Sequence, residues 1–163
     1  MKRKVITAIG CILFAFGLHA QEDMQVEWTK KYDHQTDRVG TGLEGPDELS
    51  YIATDKEITV YKTSDGSIKW TNKFKELTPR LKKIDAFVHF WESNCLFAFD
   101  KKLGKDKLAV IDMESGKVLW ESEVYQGLTS ENIVYIAEKD GFILSLKESI
   151  NFVDARTGEE KWS

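Results

Sequence analysis

The sequence predicts an all-β protein made of repeated four-stranded antiparallel units. The first observation behind this prediction is that tryptophan recurs at intervals of 42, 50 and 42 residues, at Trp28, Trp70, Trp120 and Trp162, with Trp91 outside the series. The second is that a glycine turn and a strand of alternating apolar residues precede most of these tryptophans. A period of about 40 to 50 residues with one tryptophan per unit is typical of the blades of a β-propeller.

The first element along the chain is an export signal, which does not belong to the folded domain. Three basic residues at positions 2–4 precede an apolar run over residues 5–18. Ala20 ends the segment ahead of an acidic stretch, so residues 1–20 are expected to be cleaved off and the protein to be periplasmic or secreted. The run is short for a membrane span. A lipoprotein modified at Cys11 and an uncleaved anchor remain as alternatives.

Removal of the signal makes the chain more acidic. The 163 residues contain 23 Lys and Arg against 27 Asp and Glu, and without the signal the counts are 20 and 27, a net charge of −7. Nucleic acid and an anionic membrane surface are therefore not expected partners, since both require a basic surface. Cys95 is then the remaining cysteine, in an apolar run at 95–99, and a buried core cysteine is predicted rather than a reactive thiol.

Each repeat consists of a strand, a turn and a returning strand that carries the tryptophan. Gly66, Gly116 and Gly158 stand four residues before a tryptophan, and they supply the positive φ that a tight hairpin needs. Asp112 and Asp154, at the start of two turns, are expected to accept backbone N–H groups. The apolar positions six and eight residues before the glycines are Val60 and Ile58, Val110 and Leu108, and Phe152 and Ile150. This alternation is typical of a half-buried strand.

The strands that complete the blades are placed from the same pattern. An orphan strand at 24–32, which contains Trp28, precedes blades at about 36–74, 84–124 and 132–163. In blade one, strands are expected near 50–54, 57–62 and 67–74, and the innermost strand is weakly marked in the glycine-rich stretch 39–42. Blades one and three align without a gap at an offset of 92 residues. The tryptophans are predicted to pack in the seams between blades, because the indole is large, flat and carries one N–H donor.

Residues 110–120, Val-Ile-Asp-Met-Glu-Ser-Gly-Lys-Val-Leu-Trp, resemble the tryptophan-docking repeat of the pyrroloquinoline-quinone (PQQ) propeller superfamily, which is close to Ala-x-Asp-x-x-x-Gly-Lys-x-x-Trp. Residues 152–162 are a second match, whereas Lys62 replaces the aspartate in blade one. The resemblance covers about residues 24–163 and implies the N-terminal portion of a ring, with about three and a half blades. We therefore expect a longer protein, and the alternative is a short chain that closes by self-association.

The chemistry of the superfamily's enzymes is not evident in this sequence. These enzymes bind the quinone with a Ca²⁺ ion held by oxygen ligands, and many carry adjacent cysteines and a catalytic aspartate. No catalytic, cofactor-binding or metal-binding residue is predicted, and PQQ and Ca²⁺ are expected only if missing blades supply the site. Four acids, Asp85, Asp100, Asp106 and Asp140, are interpreted as solvated loop residues. His89, on an inner strand, is a weak candidate for a group that faces the channel.

A propeller is a scaffold, so the fold alone does not assign a function. The resemblance implies an exported, non-catalytic scaffold that binds protein or another ligand, as in the propeller lipoproteins that help to assemble outer-membrane proteins. The first alternative is the front part of a PQQ-dependent dehydrogenase whose active site lies beyond Ser163. The second is a polymer-binding propeller fused to an enzyme.

Overall fold

The computed structural model describes residue 29 and residues 38–41, 49–54 and 56–163. The predicted export signal, Trp28 and most of the predicted strand at 24–32 lie outside these residues. Within the described chain, strands form three antiparallel four-stranded sheets, and within each sheet every strand pairs with its neighbour in the sequence. The predicted all-β class and the four-stranded antiparallel units are confirmed.

The sheets follow one another along the chain. The first sheet contains β1 (Arg38–Thr41), β2 (Leu49–Ala53), β3 (Glu57–Lys62) and β4 (Ile68–Lys73). The second contains β5 (Ala86–Phe90), β6 (Cys95–Asp100), β7 (Lys107–Asp112) and β8 (Val118–Ser122). The third contains β9 (Ile133–Ile136), β10 (Gly141–Ser145), β11 (Ile150–Asp154) and β12 (Glu160–Trp162). Each predicted blade contains one sheet, and β10 lies 92 residues after β2.

Short helical turns interrupt the strands at places where the sequence analysis did not expect them. The one-turn helix α1 (Phe74–Leu77) follows β4, and 3₁₀ turns at Trp91–Ser93 and Ala137–Lys139 join the first two strands of the second and third sheets. The last strand of blade one, expected near residues 67–74, runs over Ile68–Lys73 and ends where α1 begins. Phe74 is 3% exposed and packs in the core between the first two sheets.

The core lies in two layers between the sheets, and the second sheet contributes to both. Successive side chains of a strand point to opposite faces. In β6, Leu96 and Ala98 therefore belong to the layer shared with the first sheet, while Phe97 and Phe99 belong to the layer shared with the third. Every residue of β6 is buried. A strand covered on both faces is the arrangement expected for a blade that has neighbours on each side.

Candidate functional site

The three glycine turns share one backbone geometry. Gly66, Gly116 and Gly158 have φ angles of 67°, 69° and 68°, a left-handed conformation that glycine adopts without a side-chain clash. In the first turn, where no aspartate stands at the start, Asp65 Oδ1 instead accepts the backbone N–H of Ser67 at 2.8 Å. The repeat glycines therefore set the direction in which each chain returns to its sheet.

The aspartates of the second and third turns bind the backbone of their own turns. Asp112 Oδ1 accepts the N–H of Glu114 at 2.7 Å. Asp154 Oδ1 accepts the N–H groups of Thr157 and Arg156 at 2.9 and 3.0 Å. These bonds, led by the one from Thr157, hold the pKa of the Asp154 carboxyl below its usual value. Both aspartates therefore stabilise their turns through backbone hydrogen bonds.

The seams between the sheets are each joined by an indole. Trp70 Nε1 donates to the carbonyl of Met113 at 2.8 Å, from the first sheet to the second. Trp120 Nε1 donates to the carbonyl of Ala155 at 3.0 Å, from the second sheet to the third. Both rings lie against the glycine of the turn they reach, where an added Cβ would come within 2.7 and 2.5 Å of the ring. The tryptophan, the turn carbonyl and the glycine thus form one repeated contact.

Trp162 differs from the two seam tryptophans. It is 51% exposed and stacks on Phe152 of its own sheet, with 5.7 Å between the ring centroids and 20° between the planes. No turn of a following sheet lies against it within the described residues. The structure therefore places two of the four repeat tryptophans in seams, while Trp28 falls outside the described chain.

His89 lies in an aromatic cluster on the edge strand β5. Its ring centroid is 3.4 Å from that of Trp91 and 5.5 Å from that of Tyr51. Both ring nitrogens are buried and have no hydrogen-bond partner in the described part of the chain. Burial lowers the pKa of His89 to about 3, so the imidazole is neutral near pH 7. A cavity of about 390 Å³, lined by residues 89–92 and 133–135, opens beside it.

The prediction of solvated loop acids was wrong for Asp100. Its side chain is 1% exposed, and Oδ2 accepts the backbone N–H of Lys82 at 3.0 Å. Asp85 and Asp106 also accept backbone N–H groups, and Asp140 contacts an arginine side chain. The partners of Asp85, Asp100 and Asp140 lie 16 to 18 residues away in the chain, so the sequence could not show these contacts. Lys102, whose N–H donates to Asp106, lies four residues away in the same loop.

Cys95 is a buried free cysteine, as predicted. Burial raises the pKa of its thiol, which keeps it in the unreactive protonated form. Across the described ranges, no group of three or more His, Cys, Asp or Glu side chains is placed to hold a metal ion. The same residues contain no helix with the length and apolar character needed to cross a bilayer.

A cavity of about 620 Å³ lies at one end of the first sheet, and we refer to it as the lysine cavity. Its apolar lining comes from Phe74, Pro79 and Leu81. Its basic lining consists of Lys56, Lys73, Lys75, Lys82 and Lys83. Glu57 is the single acid among the described lining residues. The sequence analysis did not identify this site, whose lining includes residues of the connector between β4 and β5.

A family model described as "Outer membrane protein assembly factor BamB" matches residues 55–163. The chain belongs to this BamB-like family of PQQ propeller repeats. The predicted resemblance is therefore confirmed. A comparison with curated proteins gave no significant match.

Two solved structures similar to this chain are of longer proteins. Sqt1 from Saccharomyces cerevisiae matches with a TM-score of 0.53 and 13% identity, over 81% of this chain and 38% of that one. BamB from Moraxella catarrhalis matches with a TM-score of 0.38 and 23% identity, over 74% of this chain and 35% of that one. The first match supports the propeller fold. The chain spans less than two fifths of the length of either protein.

Proposed function

We propose that the chain is part of an exported, non-catalytic propeller scaffold that binds protein partners. The family description names an outer-membrane protein assembly factor, and an assembly factor works by contact with other proteins. The fold and the repeat are those of the family, whereas the partner and the cellular location belong to the proposal.

The observation that carries the proposal is an apolar row across the outer face of the third sheet. Cross-strand pairing aligns Val134, Ile143, Phe152 and Trp162 on that face, one from each strand. Val134 and Trp162 are each 51% exposed, and Ile150 on the same face is 54% exposed. Contiguous exposed apolar surface of this kind favours contact with another apolar surface, such as a further blade or a partner protein. The turn aspartates and seam tryptophans, by contrast, are engaged within the fold.

Chemical crosslinking in the native cells, followed by mass spectrometry, tests the binding role. Lysines are abundant on the surface, so a partner held against the propeller is expected to give reproducible crosslinks between the two proteins. Recovery of intramolecular crosslinks alone would contradict the proposal. Saturable binding of PQQ with Ca²⁺ to the purified native protein would replace it with the dehydrogenase alternative.

Export is tested separately, by the N-terminus of the native protein. Cleavage after Ala20 is expected to leave Gln21 as the first residue, in the periplasmic or secreted fraction. A lipid-modified N-terminus at Cys11 would assign the lipoprotein alternative. An intact Met1 in the cytoplasmic fraction would overturn the export part of the proposal.

A further inference from the structure

The lysine cavity brings together segments that are distant in the sequence. The turn between β2 and β3 meets the chain that leaves β4, where the N–H of Phe74 donates to the carbonyl of Lys56 at 2.8 Å. Glu57 and Lys73 are cross-strand partners at the same end of the sheet. The connector to the second sheet adds its own basic residues to the lining of the cavity.

Three of the five lysines are unpaired among the described residues. Lys73 lies 4.0 Å from Glu76, and Lys83 lies 2.6 Å from Asp85. The remaining three, Lys56, Lys75 and Lys82, are exposed and form no ion pair with any residue that the structure describes. A concentration of unpaired cations around an apolar floor is unusual in a chain whose net charge is −4, and it favours an anionic ligand.

The connector that carries Lys75 and Lys82 is held in place by the fold. The N–H and the Oγ1 of Thr78, which is fully buried, both donate to the carbonyl of Phe74, at 2.7 and 3.1 Å. Leu81 is buried in the first core layer, and the N–H of Lys82 binds the buried carboxylate of Asp100. The cavity is therefore formed before a ligand arrives, which lowers the entropic cost of binding.

We propose that the lysine cavity binds an acidic peptide segment of a partner protein. An apolar side chain of the segment lies in the cavity against the exposed Pro79, with the buried Phe74 and Leu81 behind it. Carboxylates on either side of it pair with Lys56, Lys75 and Lys82. The cations come from separate segments around the cavity, which matches several spaced carboxylates better than one compact anion. This inference deepens the proposed scaffold role and rests on it.

Fluorescence anisotropy with a labelled, C-terminally amidated peptide, Glu-Asp-Phe-Glu-Asp, tests the site on the mature protein. We expect binding at low ionic strength that weakens as salt is added, because exposed charges are screened. Combining Lys75→Glu with Lys82→Glu should weaken binding by about tenfold or more, because two attractive pairs become repulsive. The peptide Glu-Asp-Gly-Glu-Asp should also bind more weakly, since it lacks the apolar anchor.

The matched control combines Lys117→Glu with Lys139→Glu, which changes the net charge equally at the opposite end of the sheets. It should leave the affinity within about twofold of the unmodified protein. If folding of the first double variant is impaired, Lys75→Gln with Lys82→Gln should give a smaller loss in the same direction. No peptide binding at low salt, or an equal loss in the control variant, would overturn the site.

Vesicles that contain phosphatidylglycerol test whether the ligand of the lysine cavity is an anionic membrane instead of a peptide. If the protein binds these vesicles, loses that binding when Lys75 and Lys82 are replaced, and does not bind the peptide, the ligand is an anionic membrane and the proposal is wrong. The scaffold role is judged independently, because crosslinks to protein partners elsewhere on the surface would survive failure of this site.

Discussion

Gly158 is subject to two separate constraints. Its φ of 68° is a conformation that disfavours a Cβ, and an added Cβ would lie 2.5 Å from the ring of Trp120. Gly104 has a similar φ of 65°, yet nothing lies within 4 Å of a Cβ placed there. A comparison of the two glycines therefore distinguishes the cost of a left-handed backbone from the cost of a steric clash across the seam.

At the residue scale, Gly104→Ala is expected to lower the free energy of unfolding by about 1 kcal/mol, the cost of a left-handed non-glycine residue. Gly158→Ala should cost about 1–3 kcal/mol more, because the indole must move. Urea unfolding followed by circular dichroism measures both values. Equal losses would show that the seam adds no steric requirement at Gly158.

At the scale of an element, the turn between β11 and β12 depends on an ionised carboxylate. The bonds from Thr157 and Arg156 depress the pKa of Asp154 in the folded state. A depressed folded pKa contributes stability that is present above the unfolded value of 3.8 and is lost as the pH falls through the lower folded value. The unmodified protein should therefore lose this contribution on acidification below about pH 4.

Asp154→Asn is expected to be less stable at neutral pH and to show a shallower loss of stability between about pH 5 and about pH 2. The amide oxygen still accepts N–H bonds, so the turn itself should persist. Urea unfolding midpoints across this range provide the measurement. An unchanged pH dependence would mean that Asp154 does not stabilise the turn through its charge.

At the scale of the whole molecule, the seam tryptophans hold neighbouring sheets together. Trp120→Phe removes the bond to the carbonyl of Ala155 and leaves unfilled space, so a loss of about 2–3 kcal/mol in unfolding free energy is expected. Trp162→Phe is the matched control, because its indole is half exposed and donates to no carbonyl among the described residues. Its effect should stay within about 0.5 kcal/mol, as for a surface substitution.

Both variants are compared by thermal or urea unfolding of the native protein. A loss at Trp162 as large as that at Trp120 would show that the outer face of the third sheet is covered. The covering element would then be sought in a further blade or a second copy of the chain.

The sequence by itself determined the parts of this protein that repeat. Alternating apolar residues gave the strands, and the fixed distance from Gly116 to Trp120 and from Gly158 to Trp162 gave the turns and blades. These features depend on neighbours within a few residues of each other, and the period of the pattern follows directly from the geometry of a strand. The Asp112 and Asp154 contacts could be predicted for the same reason.

Only the tertiary structure decided which groups from different segments meet. Asp100 is buried, and His89 lies against aromatic rings. Phe74 packs in the core at the start of a helical turn. The lysine cavity also depends on the tertiary structure, because it forms where one turn and one connector meet. No local sequence pattern indicates it. The burial and charge environment of a side chain depend on what packs against it, and the stacking of whole sheets determines that packing.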